Sequence, residues 1–261
     1  MLKRWILCGY GRLGKDLHRS FEKAGFVWDL ICATSSDSKL QENTEDFTST
    51  PFISWNDLKL SITEGDVVVM AISDANIINS ANALDKHGIT VIHCSGATAL
   101  LPLQQASTAV FYPLQTFSGH GNVDWSEIPV FLEFSNKNSE KILHELANRL
   151  GAKSENLKIC DSNKRLQIHL AAVFANNFTQ AQVAIADQLL KDSNLSLEVL
   201  LPILKRMANQ WGKLDSIEAI TGPAVRRDQA TIQKHLAALE DKPSYKKLYM
   251  DLTEIIQQLK S

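Results

Sequence analysis

No charge of one sign dominates this chain of 261 residues: 27 basic side chains stand against 29 acidic ones, a net charge of −2. There is no basic excess to hold nucleic acid or an anionic membrane surface. Long apolar runs are also missing, and none approaches the roughly 20 residues of a membrane span. Met1-Leu2-Lys3-Arg4 has the charge of a secretory n-region, but the stretch from Gly9 to Lys15 breaks any apolar continuation, so no signal peptide is expected. Cysteine is scarce. Cys8, Cys32, Cys94 and Cys160 end apolar, strand-like runs and form no C-x-x-C pair. They read as small core residues in a reducing, cytoplasmic setting. No His, Cys, Asp and Glu set has metal-ligand spacing, and there is neither an internal repeat nor a low-complexity segment. With 44% hydrophobic and 21% charged residues, the chain reads as a soluble globular protein of one large or two ordinary domains.

The strongest positive signal lies at the start. The apolar run Trp5-Ile6-Leu7-Cys8 leads directly into Gly9-Tyr10-Gly11-Arg12-Leu13-Gly14, and Leu13, Leu17, Phe21 and Ala24 then recur at helical spacing until Gly25. Strand, G-x-G-x-x-G and helix in succession form the dinucleotide-binding arrangement. The first glycine permits the tight turn, the second lets backbone approach pyrophosphate, and the third lets helix and strand pack closely. The helix N-terminus offers free N–H groups and a positive dipole end to the anion.

Strand-like segments follow at Val27–Ala33, Pro51–Ser54, Asp66–Ile72, Thr90–Cys94, Ala109–Tyr112 and Val130–Phe134, with helices predicted at 75–86 and 140–150. The continuous apolar character of Asp66–Ile72 suits a parallel strand covered on both faces. After about residue 160 no strand is convincing. Leu166, Leu170, Val173, Phe174, Asn177 and Ala181 open a helix of roughly 28 residues, with further helices at 196–211, 228–239 and 243–259. The predicted architecture is α/β: a Rossmann-type, doubly wound parallel sheet over 1–157, then an all-α substrate and dimerisation domain over 158–261. The helices of the second part are too few to cover one another, which predicts a homodimer.

One absence bears on the cofactor. NAD-specific sites place a carboxylate at the end of the second strand, about 20 residues past the glycines. Here Ala33, Thr34, Ser35 and Ser36 stand there. Small hydroxyl residues leave room for a 2′-phosphate, and Arg12 can add a positive charge. NADP is favoured over NAD, although an ordinary polar loop reads the same way. Ile72, Ser73 and Asp74, with Asn76, end the fourth strand where ligands bind in parallel sheets. Asp74 is equally a contact or a helix N-cap. Gly96 would allow close approach of the nicotinamide, and Ser95 is either a donor to substrate or part of a simple strand-end turn.

Four segments carry a resemblance: His93-Cys94-Ser95-Gly96, Tyr112-Pro113-Leu114-Gln115-Thr116-Phe117, His169 through Phe178, and Thr221 through Asp228. Together they resemble a family of Rossmann-like proteins designated NADP oxidoreductases, mostly of unassigned substrate. That family is related to pyrroline-5-carboxylate reductase, the β-hydroxyacid dehydrogenases and the deazaflavin-dependent NADP reductases. The resemblance covers essentially the whole chain. It implies a helical second domain like that of 6-phosphogluconate dehydrogenase. Three departures stand out: Tyr112 where relatives often carry histidine, Arg227 where many carry glycine, and the absence of the β-hydroxyacid dehydrogenase pattern of a glycine-rich helix start with a catalytic lysine four residues before an asparagine.

His169 is the candidate for proton exchange, with an imidazole suited to neutral pH. At 100° per residue Asn176 falls about 20° from it and Asn177 about 80° away. Helical geometry therefore favours Asn176, whereas the resemblance points to Asn177, which ranks slightly higher. These polar groups also read as mutually satisfied core or interface residues. His93 reads as a core residue and His120 as a loop residue. Arg226 and Arg227 suit a substrate carboxylate or a cofactor phosphate, and an ion pair with Asp228 is an equal reading. The expectation is an NADP-dependent oxidoreductase acting at the domain interface on a small, carboxylated carbonyl, hydroxyl or imine substrate. The alternatives are an NADP-binding sensor or scaffold without turnover, and a deazaflavin-linked NADP reductase.

Overall fold

The computed structural model describes residues 3–33, 50–120, 123–213 and 215–261. Its first part alternates strand and helix: β1 (Trp5–Cys8), α1 (Arg12–Lys23), β2 (Leu30–Ala33), β3 (Phe52–Ser54), α2 (Trp55–Ser61), β4 (Val67–Met70), α3 (Asp74–Ala83) and β5 (Thr90–His93). It continues with β6 (Ser107–Pro113), β7 (Val130–Phe134), α4 (Lys137–Leu150), β8 (Leu157–Ile159) and α5 (Ser162–Ala172). The strands form one sheet in the order β3-β2-β1-β4-β5-β6-β7-β8. The first six are parallel and follow the 3-2-1-4-5-6 order of doubly wound dinucleotide folds. β7 runs antiparallel to β6, and β8 is parallel to β7. Between β6 and β7 the described residues hold a single 3-10 turn, Trp125–Glu127, whereas a parallel pair would need a crossover of a dozen or more residues, usually an α-helix. The sheet is thus mostly rather than wholly parallel.

Period-two alternation sorts the strand residues onto two cores. Trp5, Leu7, Val67 and Val69 join Leu17 and Phe21 of α1 and Leu143 and Leu146 of α4 on one face. Ile6, Cys8, Val68 and Met70 join Leu58 of α2 and Ile77 and Ala81 of α3 on the other. Every residue of β1, β4 and β5 is buried, which is why these strands read as unbroken apolar runs. Sequence periodicity missed α2 and β8. One spans only two turns, nucleated by the Ser54 hydroxyl accepting from Asp57 N–H at 3.1 Å, and the other is a three-residue strand on the sheet edge.

By contacts the chain divides into Met1–Phe174 and Ala175–Ser261. α5, expected with the helical part, packs in the first unit. Its Arg165, 1% exposed, is ion-paired with Glu133 of β7 and donates to the Thr98 carbonyl at 2.5 Å. Ser162 donates to Glu133 at 2.9 Å and accepts from Leu100 N–H at 3.0 Å. The expected continuous helix is interrupted, because Val173–Phe178 is a π-helix. The second unit contains α6 (Thr179–Lys191), α7 (Leu201–Gln210), α8 (Gln229–Ala238) and α9 (Pro243–Leu259). Among its described hydrophobic residues only Ala224, Ile232 and Leu239 are buried, whereas Ile203, Trp211, Met250 and Ile255 are exposed.

Candidate dinucleotide site and an adjoining histidine

The three glycines of the turn do three different things. Gly9 has φ +97°, and a Cβ there would come within 2.4 Å of the Ala71 carbonyl oxygen, just past β4. A Cβ on Gly14 would lie 2.1 Å from the Gly9 carbonyl oxygen, so α1 can sit this close to the turn only without one. A Cβ on Gly11 meets nothing within 4 Å. First and third glycines are thus required by packing, and the second leaves an open cradle, as pyrophosphate binding needs. Gly11 is the N-cap of α1, no side chain caps the helix, and its first turn carries no acid. Its N–H groups and dipole are left for an anion. Arg12 is exposed beside the turn, Tyr10 and Leu13 are half-buried, and Tyr10 and His18 Nδ1 are hydrogen-bonded at 2.9 Å. The loop after β6 returns to α1, with Gly119 N–H donating to buried Asp16 at 2.9 Å and Arg19 donating to the Gly119 carbonyl.

The carboxyl end of β4 lies beside this turn. Ser73 and Asp74 are exposed there, and Ile72 is half-buried. Asp74 is the first residue of α3 rather than its N-cap. Ser73 holds the cap position without bonding a helix N–H, and its hydroxyl accepts from Asn76 at 3.0 Å. Thr34, Ser35 and Ser36 lie outside the described residues.

At the end of β5, His93 is fully buried. Its Nε2 meets the Ala99 carbonyl at 3.1 Å and its Nδ1 accepts from Ser95 N–H at 3.3 Å. Burial, then the Arg165 charge, push this imidazole down to about 4, so it is a neutral brace for the turn. Ser95 braces the same turn, because its hydroxyl oxygen accepts from Ala97 N–H at 3.1 Å and Thr98 N–H at 2.9 Å. Burial raises the Cys94 thiol to about 12, which leaves it unreactive.

Beyond this turn, the fold brings together two residues far apart in sequence. The Tyr112 hydroxyl, at the end of β6, lies 3.0 Å from His169 Nδ1 on α5, with the rings edge-to-face at 5.8 Å. Gly96 lies directly against the pair. A Cβ there would be 2.7 Å from His169 Cγ and Nδ1 and 2.8 Å from Tyr112 Cζ. Burial raises the Tyr112 pKa, with Arg165 opposing and Asp74 adding to the rise, so the phenol keeps its proton. His169 and Gly96 were legible in sequence. The part played by Tyr112 was not, nor was that of Arg165. Their signals were an aromatic with a polar tip ending a buried strand and, for Arg165, a lone carboxylate in the apolar run Val130–Phe134.

The regular 100° step that pairs His169 with Asn176 does not hold through Val173–Phe178, where a π-helix turns less per residue. Spacing therefore does not choose between Asn176, half-buried, and Asn177, exposed. Arg226 and Arg227 are exposed in the second unit, and Asp228 caps α8 through Thr231 N–H at 3.1 Å. Arg227 has φ +54°, in the left-handed region that favours glycine.

The strand order and the glycine turn are those of a Rossmann-type fold. Residues 128–256 match a family described as a domain of unknown function, DUF2520. A putative NADP oxidoreductase from Bacteroides fragilis is similar at 28% identity over 98% of each chain, with a TM-score of 0.84. Two others share the fold. Pyrroline carboxylate reductase from Plasmodium falciparum, with NADP bound, is 16% identical over 99% of this chain and 98% of that one, TM-score 0.52. An imine reductase from Streptomyces aurantiacus is 12% identical over 97% and 93%, TM-score 0.65. No curated protein matches the chain. The chain is thus similar over its whole length to a protein described as an NADP oxidoreductase, and its second half matches the domain family.

Proposed function

We propose that this protein is an NADP-dependent oxidoreductase that transfers hydride between nicotinamide and a small carbonyl, hydroxyl or imine substrate. The observation that carries the proposal is the glycine turn: two positions closed to a Cβ by backbone oxygens, and Gly11 open between them at an uncapped helix N-terminus. Similarity to the Bacteroides fragilis protein across both whole chains supports the same reading. Bound NADP would supply the hydride. Gly9, Gly11 and Gly14, with the first N–H groups of α1, would hold its pyrophosphate. Ile72, Ser73 and Asp74 stand at the adjoining strand end, and Gly96 at the end of β5. No carboxylate stands between Leu30 and Ser36, and Arg12 is exposed at the turn, so NADP is preferred over NAD.

His169 exchanges a proton with the substrate oxygen or nitrogen, and Asn177 or Asn176 orients the substrate. Ser95 braces the turn that carries Gly96. The exposed Arg226 suits a substrate carboxylate. The protein acts as a homodimer through its helical part, since a second copy would cover the apolar residues exposed there. Four buried free cysteines suit a reducing, cytoplasmic compartment.

The test is calorimetric titration with NADPH and NADH, then a panel of small carbonyl and imine compounds followed by loss of NADPH absorbance. NADPH is expected to bind tighter. Arg12→Ala should narrow the preference on the order of tenfold, as the loss of one charge-assisted hydrogen bond of ~1.5–3 kcal/mol would. Tight binding with no turnover across the panel would replace the oxidoreductase with a cofactor-binding sensor. Turnover indifferent to His169→Ala would remove His169 from the chemistry.

A further inference from the structure

We propose that Tyr112 is a positioning residue that sets the tautomer of His169 and makes it a hydrogen-bond donor. The use made of that donor rests on the oxidoreductase reading. The tautomer itself does not.

A neutral imidazole carries one N–H and one bare nitrogen, and the partner of one nitrogen decides the state of the other. The Tyr112 hydroxyl is 3.0 Å from His169 Nδ1. Tyr112 is buried at the end of β6, and among the described residues His169 Nδ1 is the one hydrogen-bond partner of its hydroxyl, so the phenol O–H has Nδ1 as its acceptor. The ring proton therefore sits on Nε2.

The pair is held from three sides. β6 supplies Tyr112, α5 supplies His169, and the turn after β5 supplies Gly96, whose missing side chain gives both rings their place. The charges nearby are accounted for. Arg165, one helical turn before His169, is paired with Glu133, and His93 is held neutral by its burial. Asp74 acts on the Tyr112 phenol through space, in the direction that keeps it protonated. In this state Nε2 cannot accept a proton, but it can donate to an oxygen or nitrogen that gains negative charge. Such a charge develops when a C=O or C=N bond accepts hydride. The donor lowers the barrier in both directions, because reduction and oxidation share that charged transition state.

The test is a long-range proton–nitrogen NMR spectrum of protein labelled with nitrogen-15 histidine, recorded at a pH where the ring is neutral, with His169→Gln assigning the resonances. The wild type should show Nδ1 bare and Nε2 protonated. Tyr112→Phe should shift both resonances towards the mixed values of a free imidazole. A proton on Nδ1 in the wild type overturns the proposal by itself, even where the variant fails to fold. An unchanged pattern in folded Tyr112→Phe overturns it as well. The spectrum needs neither cofactor nor substrate, so a protein that fails to bind NADPH loses the oxidoreductase reading and keeps this one.

Discussion

Among single residues, His93 links burial most directly to a measurable quantity. Its folded pKa of about 4 lies below the unfolded value of about 6.5, so folding favours the neutral ring. The stability it contributes is fully present above the unfolded value and is lost as pH falls from about 6.5 towards about 4. The whole effect is about 3 kcal/mol, at 1.36 kcal/mol for each unit of pKa. Urea midpoints measured across this window should fall steeply in the wild type and much less in His93→Gln. Equal slopes would show that His93 is not held neutral. That His93 is a core residue was legible from its place in an apolar strand. Its bond to Ala99 was not, because that carbonyl belongs to a turn without periodicity.

Among elements, the strand, glycine turn and α1 act as one unit, and their glycines separate folding from binding. A methyl at Gly14 meets the Gly9 carbonyl at 2.1 Å, backbone against backbone. Gly14→Ala should therefore cost ~1–3 kcal/mol of stability, typical of overpacking, together with NADP affinity. A methyl at Gly11 meets nothing in the protein. Gly11→Ala should cost only the N-cap preference for glycine over alanine, less than Gly14→Ala, and lose NADP affinity. Thermal unfolding and calorimetry on both variants check this, and equal stability losses would refute it. This element was readable from sequence because its signals are contiguous. The π-helix at Val173–Phe178 was not, since its apolar spacing matches that of an ordinary helix over so few residues. By its sequence pattern α5 reads with the helices after it, yet Arg165 and Ser162 fasten it to Glu133.

At the scale of the molecule, the two units have different cores. The sheet unit buries both faces of its central strands, whereas the helical unit leaves Ile203, Trp211, Met250 and Ile255 in solvent. Light scattering at micromolar concentration should give twice the chain mass, and the chain mass itself would refute the dimer. No helix among the described residues is long and apolar enough to cross a membrane.

The sequence by itself determined the glycine turn, the α/β layout followed by helices, and His169 as a polar group on an apolar helix. All three are local, written in spacings of two to four residues along a strand or helix. Only the tertiary structure decided the reversal at β7, the anchoring of α5 by Arg165 and Glu133, and the meeting of Gly96, Tyr112 and His169. Tyr112 and His169 are 57 residues apart and on different elements. No periodicity reaches that far, so strand order and helix packing alone bring them within hydrogen-bond distance.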